Sequence, residues 1–538
     1  MTTTAEARSA GAGAPVRGGA RRTSSRWARG AAALAAGALP ALAFPAPSLW
    51  WLAWFALVPW LLLLRTAATG RQAAWEGWLG GTAFVIAVHH WLWPSLHVFV
   101  VPLAFLLGVL WAPWGWLVRR LLGGAPTGGS AAAAALVLVP CGWLMAEAVR
   151  SWQYLGGPWG LLGASQWQLP SALRLASVGG VWLVSLLVVA VNTAVALLVA
   201  VPGARTAALT GIAAVGVGLS AVWAWAPAAV GTGATARVSV VQPGVVNGPQ
   251  ARFHREERLT RGLVGQDVDL VVWGESSVGF DLSARPDISR RISALSRAVG
   301  ADMAVNVDAR RADGRGISKT SALIGPDGLV GESYDKMRLV PFGEYVPLRP
   351  VLGWATSVGK AATEDRRRGD HQVIMNTGTL RLGPMVCFES AFPDISRSLA
   401  RGGAQLLVAQ SSTSTFQHSW APAQHASLSA LRSAETGRPM VHATLTGVTA
   451  VYDGRGHRIG PSLGVDRSTE EVYDIPLTEG STLYDRLGDW PVQLAVIALA
   501  VAAAYEAAGR SRAGPGRGAV KRLFRPTRAR PRIARSSR

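Results

Sequence analysis

The chain has 538 residues, is 50% hydrophobic, carries a formal net charge of +21 and holds only two cysteines. Cys141 falls in an apolar run and Cys387 in a polar region, which excludes a disulfide-stapled domain. The placement of the charge excludes a dedicated nucleic-acid module: residues 1–30 contribute +5 and residues 510–538 contribute +11, and both tails flank apolar runs, as juxtamembrane segments facing anionic lipid do.

Composition divides the chain into a basic cytoplasmic tail (1–30), a transmembrane region (31–225), a soluble-type domain (226–489), a final span (490–508) and a second basic cytoplasmic tail (509–538). The first half is rich in aromatics, with 19 of the 23 tryptophans before residue 226. Candidate spans are 31–47, 48–64, 76–94, 97–118, 131–148, 176–201, 206–225 and 490–508, most near the roughly 20 residues that cross a bilayer. The first is short and interrupted by Pro40 and Pro45, and a cleaved signal peptide is its rival reading. With both termini inside, the inner loops carry Arg65 and Arg71, Arg119 and Arg120, and Arg205. That pattern follows the positive-inside tendency and puts 226–489 on the extracytoplasmic face.

One outer loop carries charge at the membrane boundary. Glu147 and Arg150 precede the Gly/Pro-rich stretch 156–166 that contains Trp159. The two readings are an interfacial turn anchored by tryptophan and the lining of a substrate channel.

In the domain, strands are expected at 236–243, 269–273, 302–307, 320–325, 382–387 and 404–409. Helices are expected at 253–264, 286–299, 392–401 and 421–435. The alternation argues for an α/β layered fold. Two apolar runs end in reactive side chains: Asp-Leu-Val-Val-Trp-Gly-Glu at 269–275 and Leu-Gly-Pro-Met-Val-Cys-Phe-Glu-Ser at 382–390. Strand ends are where such folds present their chemistry. A single thiol facing an oxidising exterior has no staple to form, which favours a chemical role for Cys387. Only four lysines (Lys319, Lys336, Lys360, Lys521) stand among 53 basic residues, so the lysine in Tyr-Asp-Lys-Met-Arg-Leu-Val-Pro-Phe-Gly-Glu-Tyr-Val-Pro at 334–347 argues for a compact ammonium at Lys336. The histidines show no metal-ligand spacing, and neither a metal nor another cofactor is expected. His425 and Arg432 are expected in a network on one helix face, with a solvated face the favoured reading.

These three segments, in this order, resemble the nitrilase superfamily, which uses a Glu-Lys-Cys triad. The long lysine motif beside the membrane spans resembles its apolipoprotein N-acyltransferase family over about residues 31–510. The resemblance implies a polytopic α-helical membrane region joined to an α-β-β-α sandwich. It implies Glu275 as general base, Lys336 as oxyanion partner and Cys387 as nucleophile, supported by Glu344, the backbone N–H of Phe388, and Glu389. For Glu344 and Glu389 a solvated surface charge is the plain alternative. The chain departs from the family pattern at Gly274, at Ser412 to Phe416 and at Leu445, and Phe253 takes the place of an aromatic in the lid after the first strand.

The function implied is transfer of an acyl chain from a membrane phospholipid, through a thioester on Cys387, to the α-amino group of a diacylglyceryl-apolipoprotein by a monomeric enzyme. A membrane-tethered amidase and a catalytically silent membrane scaffold are the alternatives.

Overall fold

The structure is a computed structural model that describes residues 26–124, 129–311, 313–314, 316–354 and 362–512. Nearly all of both basic tails, with Lys521, and also Lys360, lie outside the described residues.

Among the described residues five helical stretches are long and apolar enough to cross a membrane: Gly70–Leu122, Gly129–Arg150, Pro170–Ala200, Pro202–Trp225 and Trp490–Gly509. The first covers two of the expected spans, interrupted by 3-10 turns at His90–Leu92, His97–Phe99 and Val109–Trp111. The two earliest expected spans are shorter than proposed. Arg26–Ala38 gives way to a 3-10 turn at Leu39–Ala43, and Trp50–Arg65 is a short apolar helical stretch. Pro40, Pro45, Pro47 and Pro59 remove backbone donors there and limit helix length.

The described residues of the soluble-type part form thirteen strands: β1 Val230–Gln242, β2 Leu270–Trp273, β3 Asp302–Arg310, β4 Ile317–Gly325, β5 Gly328–Leu329, β6 Tyr334–Asp335, β7 Met375–Asn376, β8 Arg381–Val386, β9 Leu406–Ser411, β10 Met440–Thr444, β11 Thr449–Tyr452, β12 Arg458–Leu463 and β13 Thr469–Glu479. One sheet runs β13-β1-β2-β3-β4-β5, with β6 on β4, and the other β12-β11-β10-β9-β8-β7. Each has a parallel centre, β1-β2-β3 in one and β8-β9-β10 in the other.

Period-two patterning explains how the sheets stack. Val238, Val240, Leu270 and Val272 point at Val386, Leu406, Val408 and Val441 of the facing sheet, whereas Val241, Val271 and Trp273 point outward. Those outward residues meet Phe253, Ile288 and Ile292, carried by helices Pro249–Arg261 and Pro286–Val299. The other sheet is covered by helices Pro393–Arg401 and Ala421–Thr436, completing an α-β-β-α sandwich.

Helix Ala421–Thr436 of that layer has no solvent behind it. Met385, Leu407, Leu428 and Leu431 belong to the same core as Trp60, Trp143, Val184 and Leu197 of the membrane helices. One polar contact of the joint lies at a helix break. Helix Pro170–Ala200 breaks at Gly179 and Gly180, where Gly180 has φ +66°, and the Val181 N–H freed by the break donates to Glu435 Oε1 at 2.8 Å. A side chain at Gly180 would meet the Tyr484 ring at 2.6 Å.

Candidate active site

Sheet geometry delivers the site residues one by one. Glu275 sits two residues beyond β2, and its N–H donates to Ser411 O at the end of β9 (3.1 Å). Cys387 follows β8 and starts the 3-10 turn Cys387–Ala391 with φ +53°. A non-glycine residue in this region costs roughly 1–2 kcal/mol, and here it turns the chain sharply at the sheet edge. Lys336 follows β6, which pairs with β4, and its N–H donates to Lys319 O at 2.9 Å. The pairing sets two lysines side by side.

The charged groups form one closed cluster. Lys336 Nζ lies 2.8 Å from Glu344 Oε1 and 3.5 Å from Glu275 Oε1. Lys319 Nζ lies 2.6 Å from Glu275 Oε1, 3.1 Å from Glu344 Oε1 and 3.8 Å from Asp308 Oδ2. The Lys336 side chain is fully buried. Lys319 is therefore a member of the cluster that the sequence reading passed over, although the scarcity of lysine applied to it equally.

Burial acts against every charge in this cluster, and the partners decide the outcome. For Glu275 burial pushes the carboxyl up, but Lys319 and then Lys336 outweigh it and hold it below the usual carboxylate range. Glu344 is likewise opposed by burial yet drawn down to about 2, chiefly by Lys336 and Lys319. Both ammonium groups are raised above the ordinary lysine value by the two carboxylates in spite of burial. The Cys387 thiol is pushed up to about 12, first by burial and then by Glu275. Glu275 and Glu344 balance Lys319 and Lys336, and Asp308 is shared with Arg366 at 3.5 Å, so a thiolate would add an uncompensated negative charge. Proton removal from Cys387 is thus favourable only if the proton stays within the cluster, on a carboxylate.

Glu389 is fully buried and bridges two segments. Its Oε1 accepts from Tyr334 Oη (2.7 Å), Met337 N (2.7 Å) and Arg338 N (2.9 Å), and its Oε2 accepts from Val386 N (2.8 Å). It thereby ties the Lys336 loop to the Cys387 turn, in place of the solvated charge considered from sequence. Phe388, in the first turn of a 3-10 helix, lies where N–H groups lack an intrahelical partner.

Two cavities meet at Cys387, and the loops 340–342, 412–416 and Leu92 and Leu96 contribute to both. One, of about 410 Å³, is polar and lined by Glu275, Lys319, Glu344, Asp308 and Arg252. The other, of about 310 Å³, is apolar and runs among Val85, Leu103, Ala104, Leu107 and Trp159. Arg150 and Trp159 line the apolar cavity, with Trp159 Nε1 donating to Gln424 Oε1 at 2.8 Å.

Several expectations are corrected. Glu147 does not line either cavity; it is buried, accepting from Leu162 N at 2.7 Å and holding the re-entrant loop. Phe253 is no lid residue, because its helix packs it fully buried against Trp273, ring centroids 5.9 Å apart. His425 and Arg432 are not solvated, since their helix lies between the sheet and the membrane helices. His425 Nε2 is 3.0 Å from Cys387 O and 2.9 Å from Ser390 Oγ, and burial lowers its pKa to about 4, leaving a neutral ring beside the Cys387 carbonyl. Arg432 pairs with Glu435 at 2.8 Å. Two sequence departures prove to be one feature: a Cβ at Gly274 would lie 2.0 Å from Leu445 N, so glycine at 274 lets the 444–445 backbone approach. Among the described residues no three His, Cys, Asp or Glu side chains converge as a metal site.

A paired-sheet sandwich with Glu, Lys and Cys converging at its strand ends, set into a polytopic helical region, defines a membrane-embedded protein of the carbon-nitrogen hydrolase class. Residues 237–477 match the carbon-nitrogen hydrolase family and residues 36–194 match the apolipoprotein N-acyltransferase N-terminal domain. An apolipoprotein N-acyltransferase of Geobacter metallireducens is 30% identical over 501 residues, covering 88% of this chain and 94% of that protein. That of Azotobacter vinelandii is 33% identical over 533 residues, covering 91% of this chain and 97% of that protein. A carbon-nitrogen hydrolase structure from Helicobacter pylori G27 superposes with a TM-score of 0.36 and 17% identity, covering 45% of this chain and 89% of that one. The chain belongs to the apolipoprotein N-acyltransferase family.

Proposed function

We propose that the protein moves an acyl chain from a membrane phospholipid to the N-terminal α-amino group of a diacylglyceryl-apolipoprotein, by way of a thioester on Cys387. The observation that carries this reading is the position of Cys387, at the meeting point of a polar charge cluster and an apolar cavity walled by membrane helices. A thiol at that point can reach an ester whose chain stays in apolar surroundings. It is also reached from the polar side by an amine.

In the first half-reaction Glu275 takes the proton of Cys387 as the sulfur attacks the ester carbonyl, so the cluster stays electrically balanced. The carbonyl electron pair moves to oxygen. The resulting oxyanion is held by the Lys336 ammonium and the Phe388 N–H, each such donor typically contributing about 3 kcal/mol in the transition state. Collapse breaks the C–O bond, the leaving glycerol oxygen takes the proton from Glu275, and a lysophospholipid departs. In the second half-reaction the α-amino group attacks the thioester and gives a proton to Glu275. The C–S bond then breaks, Cys387 recovers the proton and the amide leaves. Glu344 orients Lys336, and Glu389 fixes the distance between the lysine and cysteine segments.

Incubation with a phospholipid labelled in its acyl chain should leave label on the wild type, and none on Cys387→Ala. Transfer of that label to an amine-bearing lipopeptide, rather than release as free fatty acid, separates acyl transfer from amide or ester hydrolysis. Label persisting on Cys387→Ala would assign the nucleophile elsewhere. For topology, the arginine-bearing loops favour cytoplasmic termini and an extracytoplasmic catalytic domain. In a background lacking both native cysteines, an impermeant maleimide should modify Ser468→Cys on intact cells and Ser536→Cys only after the membrane is opened; the reverse would put the site in the cytosol.

A further inference from the structure

Of the side chains lining the apolar cavity, Arg150 alone is permanently charged. It is the last residue of the helix Gly129–Arg150 and is 2% exposed. Nη1 donates to Gly157 O at a long 3.4 Å, while Nε and Nη2 have no partner. Glu147, one turn earlier, has spent Oε1 on the Leu162 N–H and keeps Oε2 unpartnered; it attracts the guanidinium electrostatically but forms no ion pair or hydrogen bond with it among the described residues.

The helix C-terminus favours a cation at this place, but it does not supply acceptors for two free N–H groups. A buried guanidinium with open donors is an unfavourable state that an incoming anion relieves. Its geometry is selective as well, because a planar fork matches two oxygens of one phosphate. The location ties it to the reaction centre. A Cβ on Gly157, the residue whose carbonyl Arg150 touches, would lie 2.7 Å from the ring of Phe388, next to the nucleophile. An otherwise apolar cavity with one open cationic fork near the sulfur fits an amphiphile that carries its ester between a long chain and a phosphate.

We propose that Arg150 anchors the phosphodiester of the lipid acyl donor through Nε and Nη2 and so sets which ester carbonyl reaches Cys387. The inference rests on the acyl-transfer reading above. Arg150 acts on the lipid's polar end and takes no part in proton transfer.

The test compares two palmitoyl donors in the purified full-length protein: dipalmitoyl phosphatidylethanolamine, and p-nitrophenyl palmitate, which has the same chain and no phosphate. In Arg150→Gln the ratio of kcat/KM for the phospholipid to that for the nitrophenyl ester should fall at least about tenfold, mostly through KM, with partial recovery in Arg150→Lys. The ratio does not depend on how much of the variant folds. Equal losses with both donors would make Arg150 a brace for the 156–160 loop, and no loss with either would make it a bystander to lipid binding; both overturn the anchor. Wild-type protein that is acylated by the nitrophenyl ester and by no phospholipid would instead overturn the functional reading, and the anchor with it.

Discussion

The two cavities that share Cys387 differ in who builds them. The polar one takes its charged walls from the sandwich, and at its centre two ammonium groups face two carboxylates. The apolar one takes most of its wall from membrane helices and carries a single cation. Proton chemistry is thereby confined to one side of the sulfur and chain recognition to the other. Damage on the polar side should fall equally on every acyl donor, while damage on the apolar side should depend on the donor's chain or on its phosphate.

The largest effect is expected from Lys336→Arg. Lys336 is fully enclosed between Glu275 and Glu344, and a planar guanidinium cannot occupy that space or face the oxyanion as a point charge. Acyl-enzyme formation should fall about 10²–10³-fold with long and short donors alike. A loss restricted to long-chain donors would break the division between the cavities.

Lys319→Met should come next, about 10²-fold, and it should also move the pH profile. Glu275 must be ionised to accept the proton, and in the wild type Lys319 is the chief group holding its pKa down against burial. Activity therefore persists above the Glu275 pKa and is lost as pH falls through it, below the ordinary value of about 4.3. Without Lys319 the acid limb of kcat/KM should shift to higher pH. An unmoved limb in a pH–rate series would remove Glu275 as the base.

Glu389→Gln tests stability more than chemistry. The amide nitrogen cannot accept from Val386 or from the three donors on the other oxygen, so at least one buried N–H loses its acceptor. About 1–3 kcal/mol should be lost, read as a lower Tm in detergent. The smallest effect belongs to the apolar side. Ala104 is buried in the cavity wall, and Ala104→Phe should lower turnover of a palmitoyl donor about tenfold while sparing a butyryl donor, a difference that chain-length kinetics would show. Equal losses would mean that the acyl chain lies elsewhere.

Glu275 and Cys387 were legible because each ends an apolar run short enough to be a buried strand, and the lysine because its motif is long. Lys319 was hidden by its setting within β4, where its neighbours carry no motif; it reaches Glu275 only through the β3–β4 and β4–β6 pairings. Strands β10 to β13 went unseen for similar reasons. Thr469–Glu479 reads as a polar stretch, yet it pairs with β1 along the sheet edge. The helix Ala421–Thr436 misled in the opposite direction. Its polar residues suggested a wet face, but a helix covered on both sides needs partners all round it, and His425, Arg432 and Glu435 have them. Sequence periodicity records one buried face and cannot show that a second protein layer waits on the other.

The bond between Val181 and Glu435 has a consequence for how the chain is made. The two residues are 254 positions apart, and the acceptor is synthesised long after the helix it completes. At roughly 5–20 residues per second, about 10–50 s pass between the emergence of the broken helix and that of its carboxylate. Over that interval the newborn helix Pro170–Ala200 carries an unsatisfied amide at its break, and only the last-made helices and sheet of the sandwich relieve it. Ribosome stalling between residues 200 and 435 should thus yield a membrane intermediate whose helix is still unlocked at Gly180.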